Sequence, residues 1–316
     1  NFYPAIAEAF YSDIPLIVLS ADRMPHRIDI GDGQTIRQSG VFDLHIEAAA
    51  NLKPDVSHAT DTLLQNPLQE LIPFSASFKE INEIQKKNQL HNDKEISRVL
   101  KIAIHQKGPV HLNIPLEEPL YGMTSKAIPL SKYMYEVPAF NEFNEQLKSI
   151  KNQWHNTSKK WVIIGVMSPN TITQKQIDLL CEDPTVVVFT ETTSNITHSR
   201  SINSIDTLMA PLELNETQMI KTLQPQVLLT FGGMVVSKKI KFFLRNNPPK
   251  HHWHVDQKKA YNTYYRLDQH LEVPPAIFLE HLYKDVSIPN ETDYQKNVLN
   301  LFENFKRKGD IYLDTL

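Results

Sequence analysis

The chain has 316 residues, of which 41% are hydrophobic and 22% are charged, and its formal net charge is −3. This length predicts about two domains, and the small net charge gives no sign of a nucleic-acid partner. No apolar stretch approaches the ~18 residues that a membrane span needs. The single cysteine, Cys181, excludes an internal disulfide. Because such a composition is typical of a reducing compartment, we expect a cytoplasmic protein.

The beginning of the chain predicts a helix, a strand and a polar segment, in that order. Residues 1–11 have helical character, and residues 14–19 form an apolar run typical of a strand buried on both faces of a parallel sheet. Ligands of open α/β sheets bind just past the carboxyl ends of the strands. Here Arg23 can hold a carboxylate through two hydrogen bonds, and Gln34 offers both a donor and an acceptor. We therefore predict that Arg23 and Gln34 contact an anionic ligand, with a solvated or salt-bridged surface position as the alternative for Arg23.

The rest of the first domain is predicted from its apolar spacing. Residues 40–50 combine small and apolar side chains and indicate a short helix. Residues 92–106 have apolar side chains at helical spacing, with Asn92 or Asp93 as the N-terminal cap. Residues 110–114 alternate between apolar and polar side chains, which predicts a strand.

A change in pattern after residue 116 indicates a domain boundary. Residues 117–139 carry several prolines and few periodic apolar residues, so they predict an extended linker. A helix is predicted at residues 140–154, and beyond it strands and helices alternate as in a Rossmann-like parallel sheet. The predicted strands are residues 161–166, 186–190, 227–231 and 253–256, with 204–208 as a further candidate. The predicted helices are residues 174–181, 216–223, 238–244, 273–282 and 294–308.

Two kinds of site are not expected in this chain. The first strand of the second domain is not followed by the GxGxxG pattern of dinucleotide sites. His251, His252 and His254 with Asp256 suggest a metal site, but a strand presents at most two of these imidazoles on one face. His111 lies on a predicted strand without an acidic partner in view, so we expect it to be structural.

Two segments of the chain resemble a known enzyme family. They are ADRMPHRIDIGDGQTIRQ (residues 21–38), preceded by NFYPAIAEA (residues 1–9), and GPVHLNIPLEEPLYG (residues 108–122). Both are similar to the 2-succinyl-5-enolpyruvyl-6-hydroxy-3-cyclohexene-1-carboxylate synthases, the thiamin-diphosphate enzymes of menaquinone biosynthesis. A weaker similarity continues through FGGMVVSKKIKFFL (residues 231–244), so the resemblance covers essentially the whole chain.

The resemblance implies a carboligase that adds the succinyl unit of 2-oxoglutarate, with loss of CO₂, to isochorismate. In such enzymes thiamin diphosphate, held through Mg²⁺, decarboxylates the oxo acid and carries the resulting carbanion equivalent. The resemblance also implies a homo-oligomer, a dimer or tetramer, whose active sites form between subunits. No nucleic acid and no membrane span are expected.

The resemblance implies roles for individual residues as well. Arg23 and Gln34 would hold the isochorismate-derived half of the reactants. Lys238 and Lys239 would lie near the acidic substrate at a helix start, where backbone N–H groups favour an anion. A solvated helix face is the alternative for this lysine pair. Gly33 departs from the family, in which asparagine often stands here, so a side-chain contact available to relatives would be missing.

The resemblance further implies that the chain is a piece of a longer protein, because it starts without a methionine inside a family motif. Gly31-Asp32-Gly33 is not followed by the asparagine pair that completes the Mg²⁺ motif. The activating glutamate of the family lies upstream of residue 1. We therefore expect no catalytic, cofactor-binding or metal-binding residue here. The chain alone would be inactive and would bind neither thiamin diphosphate nor Mg²⁺.

The expected domain plan follows from the same resemblance. Residues 1–122 would form the C-terminal part of a pyrimidine-binding domain, and residues 123–139 would form the linker. Residues 140–316 would form a central Rossmann-like domain with a trailing helix towards a missing diphosphate-binding domain. Two alternatives stay open: another thiamin-diphosphate carboligase or decarboxylase, and a non-catalytic scaffold with an anion pocket.

Overall fold

The chain folds as two compact units in a computed structural model, Asn1–Pro138 and Ala139–Leu316. The structure describes residues 2–56, 73, 76–116, 145–212, 217–285 and 292–315. Each unit is built on a sheet whose strands pair in parallel and which helices accompany, so the predicted α/β class is confirmed. In the described part of the chain, no helix combines the length and the apolar character needed to cross a membrane.

The first unit contains a parallel sheet of three described strands. These are β1 (Leu16–Asp22), β2 (Ala48–Asn51) and β3 (Pro109–Pro115), in the order β1-β3-β2. Helix α1 (Tyr3–Tyr11) precedes β1, and helix α2 (Phe78–Gln106) leads into β3. Because all three strands run in the same direction, their carboxyl ends meet at one edge of the sheet.

Helix α2 is much longer than the predicted helix at residues 92–106. It begins after Ser77, whose side chain accepts the N–H of Glu80 while the Glu80 carboxylate accepts the N–H of Ser77. This reciprocal pair is a capping box. The predicted cap at Asn92 or Asp93 is therefore wrong. Asn92 lies inside the helix, where its side chain instead bonds the backbone N–H and C=O of Lys53 at 2.7 and 2.9 Å.

Strand β1 is not buried on both faces, which corrects the expectation for residues 14–19. Ile17 is 48% exposed and Leu19 is 58% exposed. Val99 on α2 packs instead against Val110 on β3 and Ala50 on β2. The helix therefore covers the other two strands, and within the described residues β1 forms an edge of the sheet that keeps an open apolar face.

The segment at residues 40–50 is not the predicted short helix. It contains a single 3₁₀ turn at Asp43–His45 and then enters β2. The Glu47 N–H donates to the Pro109 carbonyl at 2.8 Å, which starts the pairing with β3. The small side chains that suggested a helix are used to pack this strand closely beneath α2.

The second unit contains a doubly wound sheet with six strands among its described residues. They are β4 (Lys160–Ile164), β5 (Val186–Thr190), β6 (Ser201–Ile202), β7 (Val227–Phe231), β8 (His251–Val255) and β9 (Gln269–Leu271). Their order is β6-β5-β4-β7-β8-β9, and every pair is parallel. The chain winds outward from β4 to β6, crosses back to β7 and winds outward again, as in Rossmann-like folds.

Helices cover both faces of this sheet. One face packs against α3 (Glu145–His155), α4 (Gln174–Glu182) and α8 (Pro275–Tyr283). The other face packs against α5 (Ile205–Leu212), α6 (Thr217–Leu223), α7 (Lys238–Asn246) and α9 (Tyr294–Leu313). All residues of β4, β5 and β7 are therefore buried. Parts of two predicted helices, residues 140–144 and residue 216, lie outside the described residues.

The candidate strand at residues 204–208 is wrong, because this segment forms α5. Its buried side chains, Ile205, Leu208, Met209 and Leu212, follow helical spacing rather than alternation. The outer strand of the sheet lies just before it as β6, and the short strand β9 was not predicted.

One hydroxyl group contacts two histidines in this unit, of which His252 is buried and His254 is half-buried. The Thr230 hydroxyl lies 2.9 Å from Nε2 of His252 and 2.8 Å from Nδ1 of His254. These histidines share one face of β8, as the strand geometry predicts. Burial lowers the pKa of His252 to about 3 and that of His254 to about 4. Both imidazoles are therefore neutral at pH 7 and act as structural groups.

We expect these histidines to make the second unit sensitive to acid. The unfolded chain protonates them below about pH 6.5, whereas the folded unit does so only near their lowered pKa values. The free energy of unfolding is therefore highest above about pH 6.5 and decreases as the pH falls, by at most ~1.4 kcal/mol per pH unit for each histidine. All three tryptophans, Trp154, Trp161 and Trp253, are buried in this unit, so urea unfolding followed by tryptophan fluorescence measures it.

The variant His254→Gln provides the matched comparison. It should show a smaller change in the free energy of unfolding between about pH 7 and about pH 5, the range in which few carboxylates titrate. A wild-type free energy that stays constant across that range would contradict the assignment.

Candidate functional site

An open pocket of about 400 Å³ lies at the carboxyl edge of the first sheet. All three strands contribute to its wall, through residues at or just past their carboxyl ends, and the loop after β1 completes it. The described lining residues are Asp22, Arg23, Pro25, Ile28, Arg37, Gln38, Ser39, Asn51, Leu52, Asn113 and Pro115. Its location is the one in which open parallel sheets bind ligands.

Arg23 is placed in the wall of this pocket by the end of β1. The strand ends at Asp22, and the Asp22 carboxylate accepts the backbone N–H of Arg23 at 2.9 Å. The Arg23 residue is half-buried. A guanidinium group at a pocket wall can bind a carboxylate of a ligand. The structure is thus compatible with the predicted role of Arg23, which stays a prediction.

Gln34 lies in the loop that follows β1 and is exposed. Its backbone has a positive φ of 62°, and it is not among the described residues that line the pocket. The neighbouring Gly33 has no heavy atom within 4 Å of the position that a Cβ would occupy. A larger side chain such as asparagine would therefore have space at Gly33. The contact predicted for Gln34 remains a prediction.

Two further loop residues line the pocket and also hold the loop in place. The Gln38 side chain donates to the carbonyl of Ala21 at 2.8 Å. Arg37 forms an exposed ion pair with Asp29 at 3.0 Å. The described lining residues thus include two cations, Arg23 and Arg37, and one carboxylate, Asp22, and the charge of Arg37 is offset by Asp29.

Sequence reasoning missed three amides and hydroxyls of the pocket wall: Asn51, Asn113 and Ser39. Asn113 donates to Asp22 at 2.7 Å and to Asn51 at 3.2 Å, and Asn51 donates to Ser39 at 3.2 Å. Their only sequence signal is that two of them stand at the carboxyl ends of strands. They come together through the strand order of the sheet, which a single sequence does not reveal.

The Gly31-Asp32-Gly33 segment is part of the same loop. Asp32 forms an ion pair with Arg27 at 3.6 Å, and its side chain also accepts the N–H of Gly33. Among the described residues, His, Cys, Asp and Glu side chains form no group of three or more that could hold a metal ion. The carboxylate of this segment thus has a structural partner inside the loop.

In the second unit, the corresponding edge of the sheet is closed by backbone atoms. A dinucleotide would bind between β4 and β7, where the strand order reverses. A Cβ added at Gly165 would lie 1.9 Å from the carbonyl oxygen of Gly233, and the Gly233 N–H donates to Val166 at 2.6 Å. The two loops therefore touch at the position where a pyrophosphate would need space.

The start of α7 is occupied by a carboxylate of the protein itself. Glu191, just after β5, accepts the N–H groups of Val236 and Ser237 at 2.8 Å. Two of the backbone N–H groups near this helix start are therefore already used by Glu191. Lys238 is exposed and Lys239 is half-buried at this helix start. The two lysines lie in the second unit and Arg23 and Gln34 in the first, and the role of the lysines stays a prediction.

Comparison with known proteins gives named relatives over nearly the whole chain. The sequence is 46% identical over 273 residues to the 2-succinyl-5-enolpyruvyl-6-hydroxy-3-cyclohexene-1-carboxylate synthase of Christiangramia forsetii, a match that covers 85% of this chain and 45% of that protein. Identity to the synthase of the same name from Flavobacterium psychrophilum is 38% over all 316 residues, and that match covers 51% of the relative. The Flavobacterium johnsoniae synthase is 42% identical over 289 residues, which are 89% of this chain and 45% of the relative.

The chain is homologous to this family of synthases. The resemblance seen in the sequence is thereby confirmed, although no family model matches the chain. The chain spans about half the length of the synthases that it matches. The pocket described above lies within this shared half.

We expect the closed edge of the second sheet to tolerate no side chain at Gly165. The variant Gly165→Ala must displace backbone and should lower the free energy of unfolding by about 1–3 kcal/mol. The matched control is Gly309→Ala in α9, where a Cβ meets no atom within 4 Å. This change should raise the free energy of unfolding by about 0.5–1 kcal/mol. Urea unfolding followed by tryptophan fluorescence measures both, and equal stability of the two variants would show that the edge is open.

Proposed function

We propose that this chain forms part of an enzyme that adds the succinyl unit of 2-oxoglutarate, with loss of CO₂, to isochorismate. The proposal is supported by the names of the relatives, which cover up to the full length of the chain. The single structural observation that carries it is the position of Arg23. This residue belongs to the segment that resembles the family, and it lines a pocket at the carboxyl edge of a parallel sheet.

The pocket suits isochorismate, the charged ring substrate, better than it would suit an uncharged molecule. Isochorismate carries two carboxylates and one hydroxyl group, and the wall combines the guanidinium groups of Arg23 and Arg37 with the amides of Gln38 and Asn51. Arginine binds carboxylates in a bidentate way, and the amides can donate to or accept from hydroxyl groups. In this proposal Arg23 orients the ring substrate, and Gln34, Lys238 and Lys239 add contacts in the assembled enzyme.

The described residues do not fit the cofactor of the family. Mg²⁺ that holds a diphosphate needs several oxygen ligands. Asp32 is paired with Arg27, and among the described residues no three or more His, Cys, Asp or Glu side chains form a group that could hold a metal ion. We therefore propose that thiamin diphosphate and Mg²⁺ are held by parts of the enzyme outside these residues. No step through the cofactor follows from the residues seen here.

The domain plan is part of the same proposal. Residues 1–122 would be the C-terminal part of a pyrimidine-binding domain, and residues 140–316 a central domain that keeps a Rossmann-like fold. The enzyme would act as a cytoplasmic homo-oligomer. The closed edge at Gly165 supports the view that the central domain has no dinucleotide of its own.

The two alternatives are less well supported. Another thiamin-diphosphate carboligase would share the fold, but the relatives named above all have the name of one synthase. A non-catalytic scaffold would also keep the pocket, and it is distinguished by assaying the synthase that contains this sequence with isochorismate and 2-oxoglutarate.

We expect Arg23→Ala in the full-length synthase to weaken the use of isochorismate selectively. Losing a charge-assisted hydrogen bond costs about 1.5–3 kcal/mol, hence about tenfold to a hundredfold in kcat/KM. Decarboxylation of 2-oxoglutarate should stay near the wild-type rate, because that step does not involve the ring. Arg23→Lys should restore activity only in part, since the planar fork is lost.

The control is Arg98→Ala, which removes an arginine of the same unit that pairs with Glu95 on α2 and does not line the pocket. It should leave kcat/KM for isochorismate unchanged. Equal kinetics for Arg23→Ala and the wild type would exclude Arg23 from the substrate site.

A further inference from the structure

A line of hydrogen-bonded polar side chains links β3 and β1 and reaches the pocket at Asn113 and Asp22. Nε2 of His111 lies 2.7 Å from the hydroxyl of Ser20, and that hydroxyl donates to Oδ1 of Asn113 at 2.8 Å. The Asn113 amide donates in turn to Oδ2 of Asp22 at 2.7 Å. His111, Asn113 and Asp22 are all buried.

The hydrogen bonds of this line point in one direction. The Ser20 hydroxyl has one proton, which it gives to Asn113, so Nε2 of His111 must donate to Ser20. Burial lowers the pKa of His111, which keeps the imidazole neutral with its proton on Nε2. Every donor therefore points towards the carboxylate of Asp22, where the line ends.

The other oxygen of the Asp22 carboxylate holds Arg23, which lines the pocket. Oδ1 of Asp22 accepts the backbone N–H of Arg23 at 2.9 Å. The second N–H of the Asn113 amide donates to Asn51, which donates to Ser39. One amide on β3 thus bonds to the carboxyl ends of β1 and β2, both of which line the pocket.

Joining three strands through buried polar side chains costs free energy. Buried polar groups without partners destabilise a fold, and apolar side chains of similar size would pack the sheet at least as well. A fully bonded network instead fixes side chains in one arrangement. The line ends at Asp22, whose carboxylate accepts the backbone N–H of Arg23, and this indicates that the benefit is orientation rather than stability.

We propose that Asn113 is a positioning residue for substrate binding, a role that rests on the proposed function of the pocket. Asn113 holds Asp22 and thereby sets the direction in which Arg23 enters the pocket. Through Asn51 it also sets the position of Ser39.

The test is a double-mutant cycle between Asn113→Leu and Arg23→Ala in the full-length synthase. Asn113→Leu alone should raise KM for isochorismate about tenfold while KM for 2-oxoglutarate stays within about twofold of the wild type. In the Arg23→Ala background, Asn113→Leu should cause less than about a twofold further change, because the residue it positions is gone. A further tenfold loss in that background would overturn the positioning role.

Other outcomes separate this inference from the function on which it rests. A wild-type synthase without activity on isochorismate would overturn the proposed function. Unchanged kinetics in Arg23→Ala would overturn the assignment of Arg23, and the positioning role with it. Asn88→Leu is the folding control, because it removes an amide of the same unit that bonds the carbonyl of Pro54 at 3.0 Å and does not line the pocket. It should leave both KM values unchanged.

Asn113→Asp tests the same role if the leucine variant does not fold, because it keeps the shape of the side chain. The introduced carboxylate would face Asp22 from β3, with His111 neutral and Arg23 the nearby cation. Ionised, it cannot donate to Asp22, and protonated, it can. The rise in KM for isochorismate should therefore grow with increasing pH and lessen with decreasing pH. A KM equal to that of the wild type at every pH would overturn the proposal.

Discussion

The structure depends on one constraint of parallel sheets. Both apolar faces of such a sheet must be covered, and the carboxyl ends of its strands meet at a single edge. The second unit meets the first half of this constraint completely, since helices cover both faces and bury every residue of β4, β5 and β7. The first unit meets it in part, because α2 covers β2 and β3 and leaves Ile17 and Leu19 on β1 exposed. The two units therefore have the same kind of sheet with unequal support.

The second half of the constraint explains the difference between the two carboxyl edges. In the first unit the strand ends carry Asp22, Asn51 and Asn113, which bond to one another and leave an open pocket lined by Arg23. In the second unit the loops after β4 and β7 touch through Gly165 and Gly233, so the edge is closed by the chain itself. The same fold principle thus gives an open carboxyl edge in the first unit and a closed one in the second.

The sequence predicted what depends on local pattern. Strands β5 and β7 were placed at their observed bounds, because continuous runs of buried apolar residues leave no other choice. The position of Arg23 past a strand end was also found. What the local pattern does not predict depends on tertiary pairing. The alanines of β2 suit both a helix and a strand, and pairing with β3 makes this segment a strand. Lys160 is fully buried, 3.4 Å from Asp183, which no local pattern indicates. The contacts of Asn113 arise only from the order β1-β3-β2.

Amide hydrogen exchange of the chain, followed by mass spectrometry, tests the central claim of unequal support most directly. Amides of a sheet that is covered on both faces should open only with the whole unit, whereas those of a strand with an open face should open locally. We expect slower exchange in β4 and β7 than in β1. Exchange in β1 that is as slow as in β4 and β7 would contradict this account, because it would show that the first sheet has the same support as the second.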